Sequence, residues 1–355
     1  MICNGAVTAL IGPLNLEGKE DCKQLERNVE FQMAQGVTGV LSLGTTFCSP
    51  TVDPGMHIKL NRLVAEITSK QIQAWAGAGS NSTLEAMEMA TAAARDGADV
   101  VLLVDCYYNK PASIQLRDQY HSPIAGTLAD AYPDVGYVVY AIPGRTNCQL
   151  MPVDLAILAE QWPNVIGVKE ATGSLSNMQE TRRFVNMIDG RQFSIMSGDD
   201  SITGSMMTDP LINGNGVVSV ISNIAPAAVA KMVAAFQSGD SQTGQKLAGQ
   251  LKPLFGLVGV SVQREVEFHG QKVMVEDKFP NPCPIQTMMA GLGMDTGFLR
   301  MPLGKMSVSA VDRVCGALNI VWTESPEILQ PIEEFYEVDI AKRLMDHRIW
   351  SELCA

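Results

Sequence analysis

Short apolar runs rich in β-branched residues recur along the chain, each followed by a longer stretch with helical periodicity. Eight such runs read as strands: "AVTALIG" from Ala6, "GVLSLG" from Gly39, "IQAWAGAG" from Ile72, "DVVLLVDC" from Asp99, "GYVVYAIP" from Gly136, "VIGVKEA" from Val165, "FSIMSGDD" from Phe193 and "GVVSVIS" from Gly216. Helix starts are marked between them. Asp53-Pro54 reads as an N-cap with proline in the first turn, and Ser82 with Glu85 as a capping box before "AMEMATAAARDGA". Eight strand–helix units of even spacing predict an α/β fold of the (β/α)8 TIM-barrel type with a C-terminal helical extension. A doubly wound sheet is the competing arrangement. The barrel is expected over residues 1–225. Residues 226–322 are expected to form C-terminal helices, interrupted near 264–276 by "REVEFHGQKVMVE", whose alternation around His269-Gly270 predicts a β-hairpin. Residues 323–355 are more charged and read as a peripheral helical tail.

Composition narrows the chemistry. The 355 residues are 46% hydrophobic and 18% charged, ample for a large core. A net charge of −12 argues against nucleic acid or acidic lipid as a partner, so an anionic substrate must be caught by a few local cations. The N-terminus "MICNGAVTAL" lacks a basic leader, and no apolar run approaches a membrane span. Eight scattered cysteines without a C-x-x-C pair read as reduced thiols of a cytoplasmic protein, and four histidines without H-x-x-x-H spacing argue against a metal site.

The sixth strand, "VIGVKEA", ends on Lys169 beside Glu170. At a barrel's C-terminal face such a lysine would be partly desolvated, which favours the neutral amine, and a neutral amine attacks carbonyls to give Schiff bases. The plain alternative is a structural ion pair with Glu170. One strand earlier, "VVYAIPGRT" places Tyr140 at the barrel mouth as a proton donor and acceptor, with Arg145 beyond it to grip a carboxylate. The second strand ends in "GTT", Gly44 to Thr46, whose hydroxyls and turn N–H groups suit a small anion. The fourth ends in "CYYNKP", an aromatic load that suits a site or an interface as well as packing.

Taken in order, "GTT", "YYNKP", "YAIPGRT", "GVKEATG", "SGDD" and "GVVSVISN" resemble the dihydrodipicolinate synthase / N-acetylneuraminate lyase family, over roughly Gly5 to Val321 apart from the hairpin. The resemblance implies a pyruvate imine on Lys169, with no metal or organic cofactor. Tyr140 would be the acid/base, in a proton relay with Thr45 and with Tyr108 from a neighbouring subunit of a homotetramer or homodimer. Thr46 would hold the pyruvate carboxylate and Arg145 the carboxylate of a second substrate, L-aspartate 4-semialdehyde. Gly198 and Val218 would line the pocket. Ser49, His57, Asn81, Glu85 and Tyr107 match an inhibitory L-lysine site found in some members.

Two departures stand out. The family's G-T-T-G-E is "GTTFC" here, so Phe47 is expected to alter that loop, and Ala141 replaces an amide. Alternative readings are a pyruvate-dependent aldolase or dehydratase of a sugar acid, a catalytically drifted member, or a nucleotide-binding oxidoreductase. The last rests on "GAGSNS" at Gly77, a degenerate G-x-G-x-x-G.

Overall fold

The computed structural model describes residues 2–15, 17–294, 296–297 and 299–355. Eight parallel strands close into a barrel: β1 (Gly5–Ala9), β2 (Gly39–Ser42), β3 (Gln73–Gly77), β4 (Val100–Val104), β5 (Gly136–Ala141), β6 (Val165–Glu170), β7 (Ser194–Ser197) and β8 (Gly216–Ser219). Seven fall within runs read as strands from sequence, and β1 starts one residue before its run. The closed parallel order excludes the doubly wound sheet. Strands buried on both faces need apolar side chains on both, and the alternation sorts them. Leu102, Val138 and Tyr140 join one apolar cluster, while Val101, Leu103 and Val139 join another. The seam is closed by two glycines, Gly5 opposite Gly216. A Cβ on Gly216 would lie 2.0 Å from the Gly5 carbonyl oxygen, so only glycine permits that approach.

One irregularity positions the site. Along β5 and β6, Tyr137 pairs with Val165 but Val138 with Gly167, so Ile166 is an extra residue. Bulges of this kind re-aim side chains at barrel rims. This one sets Lys169 opposite Tyr140; without it Tyr140 would face Val168.

The hairpin is longer than its sequence signal. Strands β9 (Val260–Phe268) and β10 (Gln271–Phe279) pair along their full length, and His269 and Gly270 both take left-handed conformations, as a two-residue hairpin turn requires. Its distal part is exposed. Its base is held where Val260 enters the core and where Arg313 donates to the Ser261 carbonyl at 2.6 Å. Residues 323–355 pack more tightly than their charge suggested: Ile328, Leu329, Ile332, Tyr336, Ile340, Leu344 and Trp350 are buried in the main core. Trp350 lies where a Cβ on Gly291 would sit, 2.2 Å from its ring, so that glycine makes room for the tail. Among the described residues no helix is long and apolar enough to cross a membrane.

Candidate active site

Lys169 is 3% exposed, and its Nζ lies 4.1 Å from the centre of the Tyr140 ring. Glu170, the neighbour that could have neutralised it, points to the other face of β6. There its carboxylate accepts from the backbone N–H of Thr172 at 2.7 Å and from the side chain of Asn177. Burial pushes the Glu170 carboxyl up, and those hydrogen bonds oppose the shift. No carboxylate among the described residues forms an ion pair with Lys169. A buried amine without a counter-charge, stacked on a tyrosine at a strand end, differs from the structural ion pair that was its plain alternative.

Above this pair lies a cavity of about 320 Å³. Thr45, Tyr140 and Arg145 line it, together with Ser49, Pro50 and Tyr107. Tyr140 is in its wall and Lys169 is not. The N–H groups of Thr45 and Thr46, in the turn after β2, make no hydrogen bond within the described chain. Thr46 is buried and its Oγ1 is taken by Asn281, whose Nδ2 donates to it at 2.9 Å. Gly198 directly follows β7, its N–H bonded to the Glu170 carbonyl at 2.7 Å, and Val218 is buried in β8. Neither Gly198 nor Val218 lines the cavity.

Tyr108 stands away from this group. It is 85% exposed, with φ of 73°, and makes no hydrogen bond within the described chain. The other aromatic of the pair, Tyr107, turns to the cavity, and burial raises its phenol above the usual range.

The residues matched to a lysine site partly converge. The Ser49 hydroxyl lies 3.2 Å from His57 Nε2, and Glu85 is held by the hydroxyl of Ser80. Burial lowers the His57 pKa to about 4, against the pull of Glu85. Asn81 is exposed and bonds none of them. Because Ser49 and Tyr107 also line the cavity beside Tyr140, the two groups share a wall.

Phe47 is buried, 5% exposed. It lies in a 3-10 turn, Thr45–Phe47, and its ring packs where a Gly12 side chain would be. Cys48, not Phe47, adopts the left-handed conformation, with φ of 60°.

Sequence reasoning missed the segment after the hairpin. Pro280, Asn281 and Pro282 line the cavity, and the Asn281 carbonyl accepts from Arg145 Nη2 at 2.7 Å. The signal was present as "FPNPCP", a proline-dense stretch directly after a strand pattern.

The fold and the groups gathered at the strand ends define a (β/α)8-barrel enzyme. The sequence pattern of the dihydrodipicolinate synthetase family matches residues 3–320. The chain is 33% identical to the 4-hydroxy-tetrahydrodipicolinate synthase of Methanococcus maripaludis over 315 residues, 89% of this chain and 97% of that one. Two solved structures are similar. The chloride-inhibited dihydrodipicolinate synthase from Acinetobacter baumannii complexed with pyruvate has a TM-score of 0.76 and 29% identity, covering 90% of this chain and 98% of that one. The enzyme from Cyanidioschyzon merolae with lysine bound gives the same TM-score and identity, covering 90% and 98%. The chain belongs to the dihydrodipicolinate synthetase family.

Proposed function

We propose that this chain is a 4-hydroxy-tetrahydrodipicolinate synthase, condensing pyruvate with L-aspartate 4-semialdehyde through an imine on Lys169. The observation that carries the reading is the buried Lys169 amine, free of an ion pair and in contact with Tyr140. Attack of the amine on the pyruvate carbonyl, with loss of water, gives an iminium. That group acidifies the adjacent methyl, and the resulting enamine attacks the aldehyde carbon. The iminium is the electron sink, so the reading requires no metal or organic cofactor.

Tyr140 is the group placed to move protons to and from the reacting atoms, with Thr45 on the same cavity wall. The unpaired N–H groups of Thr45 and Thr46 suit the pyruvate carboxylate. Arg145 spends one N–H on the Asn281 carbonyl and keeps its remaining donors for the carboxylate of the semialdehyde. The exposed Tyr108 suits a homo-oligomer, dimer or tetramer, in which it completes the relay of a neighbouring subunit.

Borohydride added with pyruvate tests the reading: intact mass should rise by one reduced pyruvyl group, located on the peptide that contains Lys169. An unmodified protein would refute it. Arg145→Ala is expected to raise KM for the semialdehyde about tenfold while moving KM for pyruvate little, because a charge-assisted bidentate contact is lost only from the second substrate. Equal rises in both constants would assign Arg145 to loop structure.

L-Lysine is the inhibitor this reading implies, bound by Ser49, His57, Asn81, Glu85 and Tyr107. The shared wall gives such binding a direct route to the catalytic cavity. Partial, several-fold inhibition is expected, within the usual range of site-to-site coupling. Glu85→Ala should relieve it by removing the carboxylate that pairs with the ligand amine. Calorimetry showing no binding at millimolar L-lysine would end this part of the proposal.

A further inference from the structure

Beyond its base the hairpin is largely exposed. Strands β9 and β10 form a sheet of two strands, separate from the barrel. Such a sheet is marginal in water, and three or more strands with an apolar face are needed for stability. One face carries Val262, Val266, Phe268, Val273 and Val275 around the Arg264–Asp277 ion pair. The other carries Glu265, Glu267, Lys272, Met274, Glu276 and Lys278. The outer edge of β10 is open. A two-residue turn makes Phe268 and Gln271 a hydrogen-bonded pair, so the backbone groups of Lys272, Met274, Glu276 and Lys278 point away from β9. The Ser261 carbonyl, opposite Lys278, points outward in the same way, to Arg313. The outward N–H and C=O groups of β10 make no hydrogen bond within the described chain. A groove of about 830 Å³ borders the strand at its base, lined by residues 276–279 and by Lys305, Ser307 and Val308. An exposed edge of this kind is a template for another strand.

We propose that this edge pairs with the same edge of a second copy of the chain, β10 against β10, antiparallel about a two-fold axis at Met274. In that register Lys272 lies opposite the partner's Glu276, Val273 opposite the partner's Val275, and Met274 opposite its counterpart. Opposite charges and apolar side chains placed directly across an antiparallel pair stabilise it, and like charges destabilise it. Moving the axis by one residue loses the match. At Val275 it would set Lys272 against the partner's Lys278 and Val273 against the partner's Asp277. At Val273 it would set Lys272 against the partner's Met274 and Gln271 against the partner's Val275. The axis at Met274 produces a four-stranded sheet with the valines of both copies at the centre of one apolar face, which meets the requirement that a lone hairpin fails. It also brings the partner's turn, His269-Gly270, opposite Phe279 and Lys278, where the groove has room for it. The contact is isologous and closes on two copies. It uses neither Tyr108 nor any group of the reaction, so it stands or falls apart from the imine reading.

Met274→Cys in the full chain tests the register. Residues across a hydrogen-bonded antiparallel pair have Cα atoms about 5.5 Å apart, a separation that a disulfide spans. Oxidised glutathione should convert this variant largely to a covalent dimer on a non-reducing gel. Lys278→Cys puts its two thiols far out of register and should stay monomeric on that gel. So should the wild type, in which no cysteine is exposed. The charges are tested by adding Lys272→Glu or Glu276→Lys to Met274→Cys. Each alone sets like charges opposite at two symmetric places and should slow cross-linking about tenfold. Mixing the two restores opposite charges, and cross-linking should recover. A Met274→Cys protein that forms no covalent dimer, as it would if the edge seated a different chain, overturns the pairing. Equal cross-linking through Lys278→Cys, charge variants without effect, or slowing that mixing does not reverse overturns the register. The two cysteine variants carry the test if a charge variant does not fold.

Discussion

Lys169→Ala is expected to lower kcat by roughly 10⁴-fold or more and to abolish the borohydride-trapped pyruvate adduct. The amine is the only group proposed to bond covalently to substrate, and nothing beside it can take its place. Glu170 faces away, and Tyr140 is a weak nucleophile with its ring, not its hydroxyl, against Nζ. Lys169→Arg is a sharper control. It keeps the positive charge and much of the buried volume but loses a deprotonable amine, so it should be as inactive as the alanine variant. The melting temperature should fall little in either variant, since Lys169 holds no ion pair whose loss would strand a partner. An adduct that survives Lys169→Ala would move the covalent chemistry to another residue.

What the sequence allowed, and what it hid, follows from how local each feature is. The eight strands were legible because barrel strands are buried on both faces and therefore read as unbroken apolar runs between helical stretches. Lys169, Tyr140 and Arg145 were legible for the same reason: each interrupts or follows such a run. The ends of the hairpin were not. Val260 and Phe279 sit in ladder positions that look like the flanks of helices, and their pairing depends on the core they enter. The bulge at Ile166 was invisible because a single extra residue does not disturb an apolar pattern. Asn281 was hidden more deeply. Its partners, Arg145 and Thr46, lie 136 and 235 positions away, and only closure of the barrel brings the three together.

In the "GTTFC" loop the left-handed residue follows Phe47. A glycine replaced by phenylalanine suggested a rebuilt loop, since glycine is the usual answer to a left-handed backbone. In this chain Cys48 holds the left-handed conformation, and the Phe47 ring packs against Gly12 rather than lining the cavity. The ring is packed behind the loop, and Thr45 lines the cavity wall.

Tyr140→Phe separates the two jobs of this residue. The residue is 5% exposed and its ring packs against Lys169, whereas the hydroxyl makes no hydrogen bond to another described residue. Phenylalanine keeps the ring and removes only the oxygen, so the lysine should remain in place and the fold should be nearly unchanged. Loss of a positioned acid/base is worth about 10²–10⁴-fold, and kcat is expected to fall by about 10²-fold or more. The imine itself should still form, because the amine is intact, but more slowly. Trapping with borohydride over a time course checks this: the final yield on Lys169 should match wild type while the rate of its appearance drops. An unchanged rate together with a lowered kcat would place the role of Tyr140 after imine formation, in the protonation of the aldehyde oxygen or in ring closure. Full activity in Tyr140→Phe would remove it from the proton path altogether and turn attention to Thr45, the other hydroxyl proposed for the relay on the same wall.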